Sequence, residues 1–170
     1  IKEFWDEGLI KTPADIFRLE KYADNIKTRE GWGELSVRNL LTAIEQRRAV
    51  PFDRFIYALG IRQIGQATAK KLARHYETLE NLIDNMAGAR AHDSDAYQRL
   101  TAIEDIGPAV AHDLIAFFAE KHNKDVIRDL EKELTIEKPA HATAVNSPVS
   151  GKTVVFTGKL IRMGRDEAKA

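Results

Sequence analysis

Cysteine is absent from this 170-residue chain, which excludes disulfide bonds, thiolate zinc sites and cysteine nucleophiles. The five histidines lack the spacing of a metal-ligand set, so the sequence predicts no metal site. Long hydrophobic runs and a signal peptide are also missing, and we therefore expect a cytoplasmic protein with no membrane partner. Net charge is zero, because 26 Lys and Arg balance 26 Asp and Glu. With 44% hydrophobic residues, the chain can still bury a globular core.

The neutral balance is the sum of oppositely charged regions. Residues 54–76 contain five basic side chains and no acidic one, whereas residues 77–136 contain 13 acids against 6 bases. A local basic surface on a neutral protein indicates a polyanion bound at one place. The alternative is an ordinary solvated face, and the charges alone do not decide between the two.

The basic region contains a glycine turn that leads into a helix. An apolar run ends at Gly60, Gln63-Ile64-Gly65 follows, and the next apolar residues have helical spacing. Gly65 lacks a Cβ, so its backbone can approach a ligand closely or take a positive φ. The amides of residues 66–68 would be unpaired at the helix N-terminus, an arrangement that suits a phosphate.

This pattern occurs three times, as an apolar residue followed by Gly33, Gly65 or Gly107. A residue suited to close helix packing follows four positions later in each unit: Val37, Ala69 and Ala111. One glycine turn between helices is usually only a connector. Three in register predict a tandem of helical hairpins.

Further signals divide the rest of the chain. Residues 1–7 read as a helix that Gly8 ends, and Thr12 followed by Pro13 predicts the start of another. Ala49-Val50-Pro51 should break a helix, with Asp53 capping the next one. Amphipathic stripes predict further helices at about 37–44, 79–86, 110–118 and 123–134, and a polar loop at 87–95. Residues 137–149 read as a linker, and 153–157 as the one convincing strand. Because the chain starts without Met inside a helical pattern, we expect a fragment.

The three turns resemble the helix-hairpin-helix family, whose pattern is apolar-Gly-apolar-Gly followed by a small residue. Only the unit with Gly31 and Gly33 has both glycines, and Gln63 and Asp105 stand at the first place in the others. Longer stretches at 8–19, 30–45, 58–73 and 151–160 resemble bacterial NAD-dependent DNA ligases, where they occur in the same order.

The resemblance implies an all-α fold, namely a tandem helix-hairpin-helix DNA-binding domain at residues 1–136. A linker at 137–149 would connect it to the truncated first strand and helix of an α/β BRCT module at 150–170. Residues 1–8 would be the second helix of an earlier hairpin. Trp5 is expected in the core, whereas for Trp32 core packing and contact with a DNA groove both remain open.

The parent protein implied by the resemblance is an NAD-dependent DNA ligase that seals nicks in replication and repair through a lysine-AMP intermediate. It would use NAD, a divalent metal and a structural zinc. The Lys-x-Asp-Gly motif of the adenylated lysine is absent here, so we expect this chain to be catalytically inactive and to hold no cofactor. Its expected partner is nicked double-stranded DNA, bound by a monomer through backbone phosphates and independently of base sequence.

The residues expected to contact DNA are those of the turns together with nearby basic and polar side chains: Gly31, Gly33, Arg38, Arg62, Gly65, Gln66, Thr68, Lys70, Lys71 and Gly107. The Gly65 hairpin is expected to bind phosphate best, because Lys70 and Lys71 follow it. Glu30 and Glu34 flank the Gly33 hairpin. Glu104 and Asp105 precede Gly107, and there a structural role is favoured.

Three alternatives stay open at this point. The chain could be a non-enzymatic helix-hairpin-helix binding or scaffold module of another repair protein, or a purely structural helical bundle with a basic stripe. Thr157-Gly158 matches a position where BRCT domains can hold a phosphate, although a simple strand-ending turn is favoured.

Overall fold

The computed structural model describes residues 1–139. In that part, nine α-helices, one 3₁₀ helix and two short strands follow one another. The helices are α1 (Lys2–Asp6), α2 (Ala23–Lys27), α3 (Glu34–Glu45), α4 (Phe52–Ala58), α5 (Gln66–Tyr76), α6 (Leu79–Gly88), α7 (Asp95–Thr101), α8 (Pro108–Ala119) and α9 (Lys121–Glu131). The 3₁₀ helix, Pro13–Tyr22, lies between α1 and α2, and the strands are β1 (Ala49–Pro51) and β2 (Thr135–Glu137). The all-α prediction is confirmed for these residues.

The predicted BRCT segment, with its strand at 153–157 and Thr157-Gly158, lies outside the described residues. So does most of the predicted linker, although its first residue, Glu137, belongs to β2. The division into domains therefore stays a prediction.

The apolar stripes of the helices face two hydrophobic clusters. The larger cluster packs α4 to α9 together around fully buried residues such as Phe52, Leu72, Leu82 and Leu114. The smaller cluster joins α1, the 3₁₀ helix, α2 and α3 around Phe4, Leu19 and Ile26, among others. The Gly33 hairpin therefore stands on a different core from the Gly65 and Gly107 hairpins.

Trp5 corrects one expectation, because its side chain is 54% exposed rather than buried in the core. Phe4, one position earlier, is the buried aromatic residue of α1. Its ring centroid lies 5.5 Å from that of Trp32, which is half-buried. Core packing is therefore the observed environment of Trp32.

The two short strands were not predicted. Ala49-Val50-Pro51 does end the preceding helical segment, but it also pairs in parallel with Thr135–Glu137. Val50 lies opposite Ile136, and both pack against the larger cluster. Strands of three residues are too short to show an alternating pattern, so sequence periodicity could not reveal them.

Among the described α-helices, a side chain caps the N-terminus at α6, α7 and α9, through Thr78, Ser94 and Glu120. Pro51 rather than Asp53 precedes α4, and Asp53 lies within its first turn, so the predicted Asp53 cap is wrong. Helix α7 lies upstream of the Gly107 turn, where the repeated hairpin pattern predicts a helix, and Ser94 caps its start because the Ser94 Oγ accepts the N–H of Tyr97 at 3.1 Å. Because α6 continues to Gly88, the loop before α7 is shorter than predicted.

The 3₁₀ helix starts at Pro13 after the N-cap Thr12, as predicted. The carboxylate of Asp15 accepts the backbone N–H groups of Lys11 at 3.0 Å and Thr12 at 2.9 Å. These hydrogen bonds lower the pKa of Asp15. The ionised carboxylate thus satisfies donors that the helix start would otherwise leave unpaired.

An ionic network ties the N-terminal segment to α9. Arg18 of the 3₁₀ helix donates to Asp129 through Nη2 at 2.8 Å and to Glu133 through Nε at 2.6 Å. Arg48 donates to Glu133 at 3.2 Å and to the Phe17 carbonyl at 2.8 Å. Hydrogen bonds from Arg18 lower the pKa of both Asp129 and Glu133. These half-buried contacts connect the two hydrophobic clusters.

Candidate nucleic-acid interface

The three glycine turns share one backbone conformation. At the first glycine place of the pattern, Gly31, Gln63 and Asp105 have φ values of +77°, +65° and +68°. A left-handed φ is costly for residues other than glycine, and Asp tolerates it better than most. Gln63 and Asp105 therefore depart from the family pattern in sequence but not in shape.

Each turn is also closed by the same hydrogen bond. The N–H of the apolar residue donates to the carbonyl three positions earlier, at 3.0 Å for Trp32, 3.1 Å for Ile64 and 3.0 Å for Ile106. Gly33, Gly65 and Gly107 then precede α3, α5 and α8 with extended backbone and no side-chain cap. A Cβ built on any of these glycines would meet no atom within 4 Å. The approach to all three helix N-termini is open.

The helix that follows Gly65 has the most favourable N-terminus for an anion. Its first turn contains no acidic residue, whereas that of α3 contains Glu34. The helix after Gly107 begins with Pro108, which has no N–H to donate. A helix N-terminus with exposed amides and no carboxylate in its own first turn attracts a phosphate through its donors and its dipole.

Basic and aromatic side chains surround that N-terminus. A depression of about 520 Å³ is lined by Gln66, Ala67 and Lys70 of α5 together with Asp53, Arg54 and Tyr57 of α4. Arg54 and Lys70 make no ion pair with any described residue, and Tyr57 is 47% exposed. Arg54 and Tyr57 were not among the predicted contacts. Arg54 and Tyr57 are three residues apart on the helix before the turn and therefore share its exposed side, and this spacing could have identified them from the sequence.

Lys71 has a different environment from Lys70. Its Nζ lies 2.9 Å from the carboxylate of Glu104 and also donates to Asp105. The hydrogen bonds that Lys71 donates to these two carboxylates raise its pKa. The structure thus engages this predicted DNA contact with the acidic turn of the next hairpin.

A second link between the same hairpins mirrors the first. Gln63 donates through Nε2 to Asp113 at 2.6 Å, and this contact lowers the pKa of Asp113. Gln63 and Asp105 each lie two positions before the final glycine of their turn, while Lys71 and Asp113 each lie six positions after it. An approximate two-fold symmetry that exchanges the two hairpins therefore relates the two contacts.

The remaining predicted contacts fall in three places. Gln66 and Lys70 line the depression and Gly65 directly precedes Gln66, while Arg62 is exposed on the same turn and Thr68 is half-buried. Gly31, Gly33 and Arg38 lie on the hairpin of the smaller cluster, where Arg38 is exposed and makes no ion pair with a described residue. Gly107 follows the acidic turn.

The Gly33 hairpin has features that the sequence did not single out. Glu34 forms an ion pair with Lys27, which partly offsets the acidic charge beside this turn. Leu35, in the first turn of α3, is 59% exposed. An apolar side chain thus stands beside the open helix N-terminus.

Residues 1–139 contain no group of three or more His, Asp or Glu side chains arranged to hold a metal ion. None of the helices in this range is both long and apolar enough to cross a membrane.

Comparison with known proteins identifies relatives of the whole chain. Residues 54–127, which include the Gly65 and Gly107 hairpins, match the model described as "Helix-hairpin-helix motif". The chain is 46% identical over 190 residues to a DNA ligase of Azorhizobium caulinodans, covering 98% of this chain and 26% of that protein. It is 50% identical over 181 residues to a DNA ligase of Rhodospirillum rubrum, covering 100% of this chain and 26% of that protein. It is 48% identical over 170 residues to a DNA ligase of Gluconobacter oxydans, covering 100% of this chain and 25% of that protein. The chain spans about a quarter of the length of these curated relatives.

Proposed function

We propose that this chain, a helix-hairpin-helix homologue of part of the DNA ligases, binds duplex DNA for a ligase whose catalytic groups lie elsewhere in its parent protein. The observation that carries the proposal is the Gly65 turn, where an open helix N-terminus meets Arg54 and Lys70 in one depression. Backbone amides and unpaired cations bind phosphate oxygens without reading bases.

The symmetry of the Gly65 and Gly107 hairpins supports contact with a duplex. Their reciprocal contacts place the two turns side by side, each followed by a helix with an open N-terminus. The two turns differ in charge, since Glu104 and Asp105 stand before Gly107. We propose that the Gly65 hairpin provides the main phosphate grip and that the Gly107 hairpin chiefly supports it.

Finer statements about the parent protein belong to the same proposal. We propose that it is an NAD-dependent ligase that seals nicks in replication and repair in the cytoplasm, and that it uses a divalent metal and a structural zinc. The Lys-x-Asp-Gly motif is absent from these 170 residues, which supports a catalytically inactive, cofactor-free segment. We also propose that this segment works as a monomer. The ligase relatives across the whole chain favour this origin over a scaffold module of another protein.

The test is fluorescence anisotropy of labelled duplexes titrated with the full chain over a salt series. Nicked and intact duplexes of unrelated sequence are compared. We expect affinity that falls steeply with salt and is indifferent to base sequence, with tighter binding to the nicked duplex. Absence of binding at low salt contradicts the proposal.

Gly65→Ala provides the matched perturbation, with Gly107→Ala as its control. Both glycines have φ values that alanine accepts, −87° and −81°, and both have open space where the Cβ would stand. Neither substitution should therefore strain the fold. We expect Gly65→Ala to weaken DNA binding, because the added methyl group obstructs the phosphate, and Gly107→Ala to weaken it much less.

A further inference from the structure

A second depression lies between the two hairpins, beyond the Gly65 turn. It has a volume of about 370 Å³ and is lined by Lys71, Arg74 and His75 of α5, Arg99 of α7, and residues 102–104 of the following turn. None of the predicted DNA contacts except Lys71 lies in it. The depression therefore requires its own explanation.

Two unpaired arginines converge on this depression from separate helices. Arg74 and Arg99 are both exposed, and neither makes an ion pair with a described residue. Lys71, at the rim, is held by Glu104 and Asp105, so these carboxylates are already engaged. Two guanidinium groups sharing one depression repel each other weakly unless an anion lies between them. Their planar forks match the oxygens of a phosphate.

A structural explanation exists for each arginine alone. Arg74 and Arg99 both lie in the last turn of their helices, where a positive charge interacts favourably with the helix dipole. That role contributes to stability but does not require the two side chains to line one depression. A role in stabilising the helix ends predicts a loss of thermal stability, whereas a role in binding phosphate predicts a change in the salt dependence of DNA binding.

The depression continues the line of cations that begins at the Gly65 turn. Lys70 and Arg74 are four residues apart on α5, so they lie on the same side of the helix. From Gln66 to Arg74 the helix rises about 12 Å. One DNA strand places a phosphate about every 3.4 Å along the duplex axis, so this length corresponds to between three and four nucleotides.

We infer that Arg74 and Arg99 form a second phosphate-binding site, which receives the backbone of the same DNA strand that the Gly65 turn holds. This inference rests on the proposed function and extends it from one turn to a track along α5. The ligand is a phosphodiester of a bound strand. Free inorganic phosphate shares that chemistry, but an open, exposed depression offers it little burial.

The experiment measures DNA affinity against salt for the full chain and two double variants. Arg74→Gln with Arg99→Gln removes both guanidinium groups from the depression. Arg47→Gln with Arg90→Gln is the control, because it removes the same charge from two exposed arginines that line neither depression and pair with no described residue. Thermal unfolding of each variant monitors the fold.

We expect the Arg74/Arg99 variant to bind DNA about tenfold more weakly at moderate salt, with a log–log salt slope shallower by about 2. The control variant should keep the wild-type slope to within about 0.5. Equal slopes for the two variants overturn the inference, and a lowered Tm with an unchanged slope assigns the arginines to the helix ends.

Titration with inorganic phosphate alone separates the two sources of the anion. Arginine side-chain N–H resonances should shift little at millimolar phosphate and strongly with DNA. Saturable phosphate binding that the double variant abolishes, with DNA binding unchanged, overturns the inference in favour of a free-anion site.

The outcomes also distinguish this inference from the proposed function. If Gly65→Ala weakens DNA binding and the Arg74/Arg99 variant does not, the function stands and the second site is wrong. If the wild-type chain binds no DNA at low salt, both are overturned.

Discussion

Gln63 and Asp113 form a hydrogen bond of 2.6 Å between the two hairpins, and Asp105 and Lys71 form its counterpart with the roles of turn and helix reversed. Both contacts join a turn residue to a side chain on the second turn of the opposite helix. The chemistry differs, because one contact is a charge-assisted hydrogen bond and the other an ion pair. An approximate symmetry of shape is thus combined with an asymmetry of charge.

The asymmetry predicts that the hairpins contribute unequally to DNA binding. Gly65→Val combined with Lys70→Glu adds bulk to the open turn and reverses an unpaired charge at the first depression. We expect this variant to reduce DNA affinity far more than Asp105→Ala does, by about tenfold or more. Titration of labelled duplex with folded variants measures the difference, and equal losses contradict the ordering of the hairpins.

Removing the acidic turn should release Lys71. Asp105→Gly with Glu104→Gln eliminates both carboxylates that hold the ammonium group, and glycine suits the φ of +68° at position 105. We expect tighter DNA binding and a log–log salt slope steeper by about 1, since one more cation becomes available to a phosphate. Gln63→Gly is the control, because it removes the other cross-hairpin contact without freeing a cation. Unchanged affinity and slope in the first variant would falsify this prediction.

Arg18→Met should destabilise the fold without touching the proposed DNA surface. The substitution keeps the volume of the side chain but leaves Asp129 and Glu133 without their main partner. We expect a loss of about 1–3 kcal/mol in the free energy of unfolding, because the network is only half-buried. Chemical denaturation measures it, with the exposed and unpaired Arg38→Met as the control for loss of a cation.

The same network predicts the dependence of stability on acid. Hydrogen bonds from Arg18 lower the pKa of Asp129 and Glu133, so their stabilisation is present at neutral pH. It is lost as the pH falls below the ordinary values of 3.8 and 4.5 and through the lowered ones. The unfolding free energy of Arg18→Met should therefore decline less between pH 6 and pH 3 than that of the wild type. Parallel curves would show that these carboxylates do not depend on Arg18.

The buried hydroxyl of Tyr76 leads to a prediction about stability at alkaline pH. Its hydroxyl is buried without a hydrogen-bond partner among the described residues, and desolvation raises its pKa from 10.0 to about 12. Stability from this group is present below pH 10 and is lost between pH 10 and 12, because the unfolded chain ionises first. One pKa unit corresponds to about 1.4 kcal/mol.

Tyr76→Phe tests this directly. At neutral pH the variant should be as stable as the wild type, or more stable by about 1 kcal/mol, since it removes an unsatisfied buried hydroxyl. Its unfolding free energy should fall less steeply above pH 10. Urea denaturation at neutral and alkaline pH measures both effects, and a clear loss at neutral pH would indicate a hydrogen-bond partner for the hydroxyl.

Local patterns were enough to predict most helices and all three turns. Apolar stripes placed α3, α5, α6 and α8, because each helix buries one face and periodicity records that face directly. The repeated glycine turn and the longer similar stretches indicated ligase relatives, which the comparisons confirm. Short-range chemistry and family resemblance were therefore reliable guides.

Contacts between distant residues could not be predicted in the same way. Arg18 meets Glu133 across 115 positions, and Lys71 meets Asp105 across 34. No periodicity specifies which exposed charges will pair, since that depends on how finished helices pack. The sequence therefore grouped Lys71 with Lys70 as a DNA contact, while the fold gives the two lysines different neighbours. Trp5 shows the same limit, because helical spacing does not reveal which side of a short helix is covered.

Because β1 pairs with β2, the segment between these strands has the two ends that a transferable structural module needs. Opposite residues such as Ala49 and Thr135 lie one strand spacing apart, about 5 Å, at the two ends of the segment that holds α4 to α9. A segment whose ends meet can be inserted into or excised from a host chain with little disturbance to either. The helix-hairpin-helix match at residues 54–127 falls inside these ends. The hairpin pair is thus a transferable module, and its two strands are the natural points at which to graft or permute it.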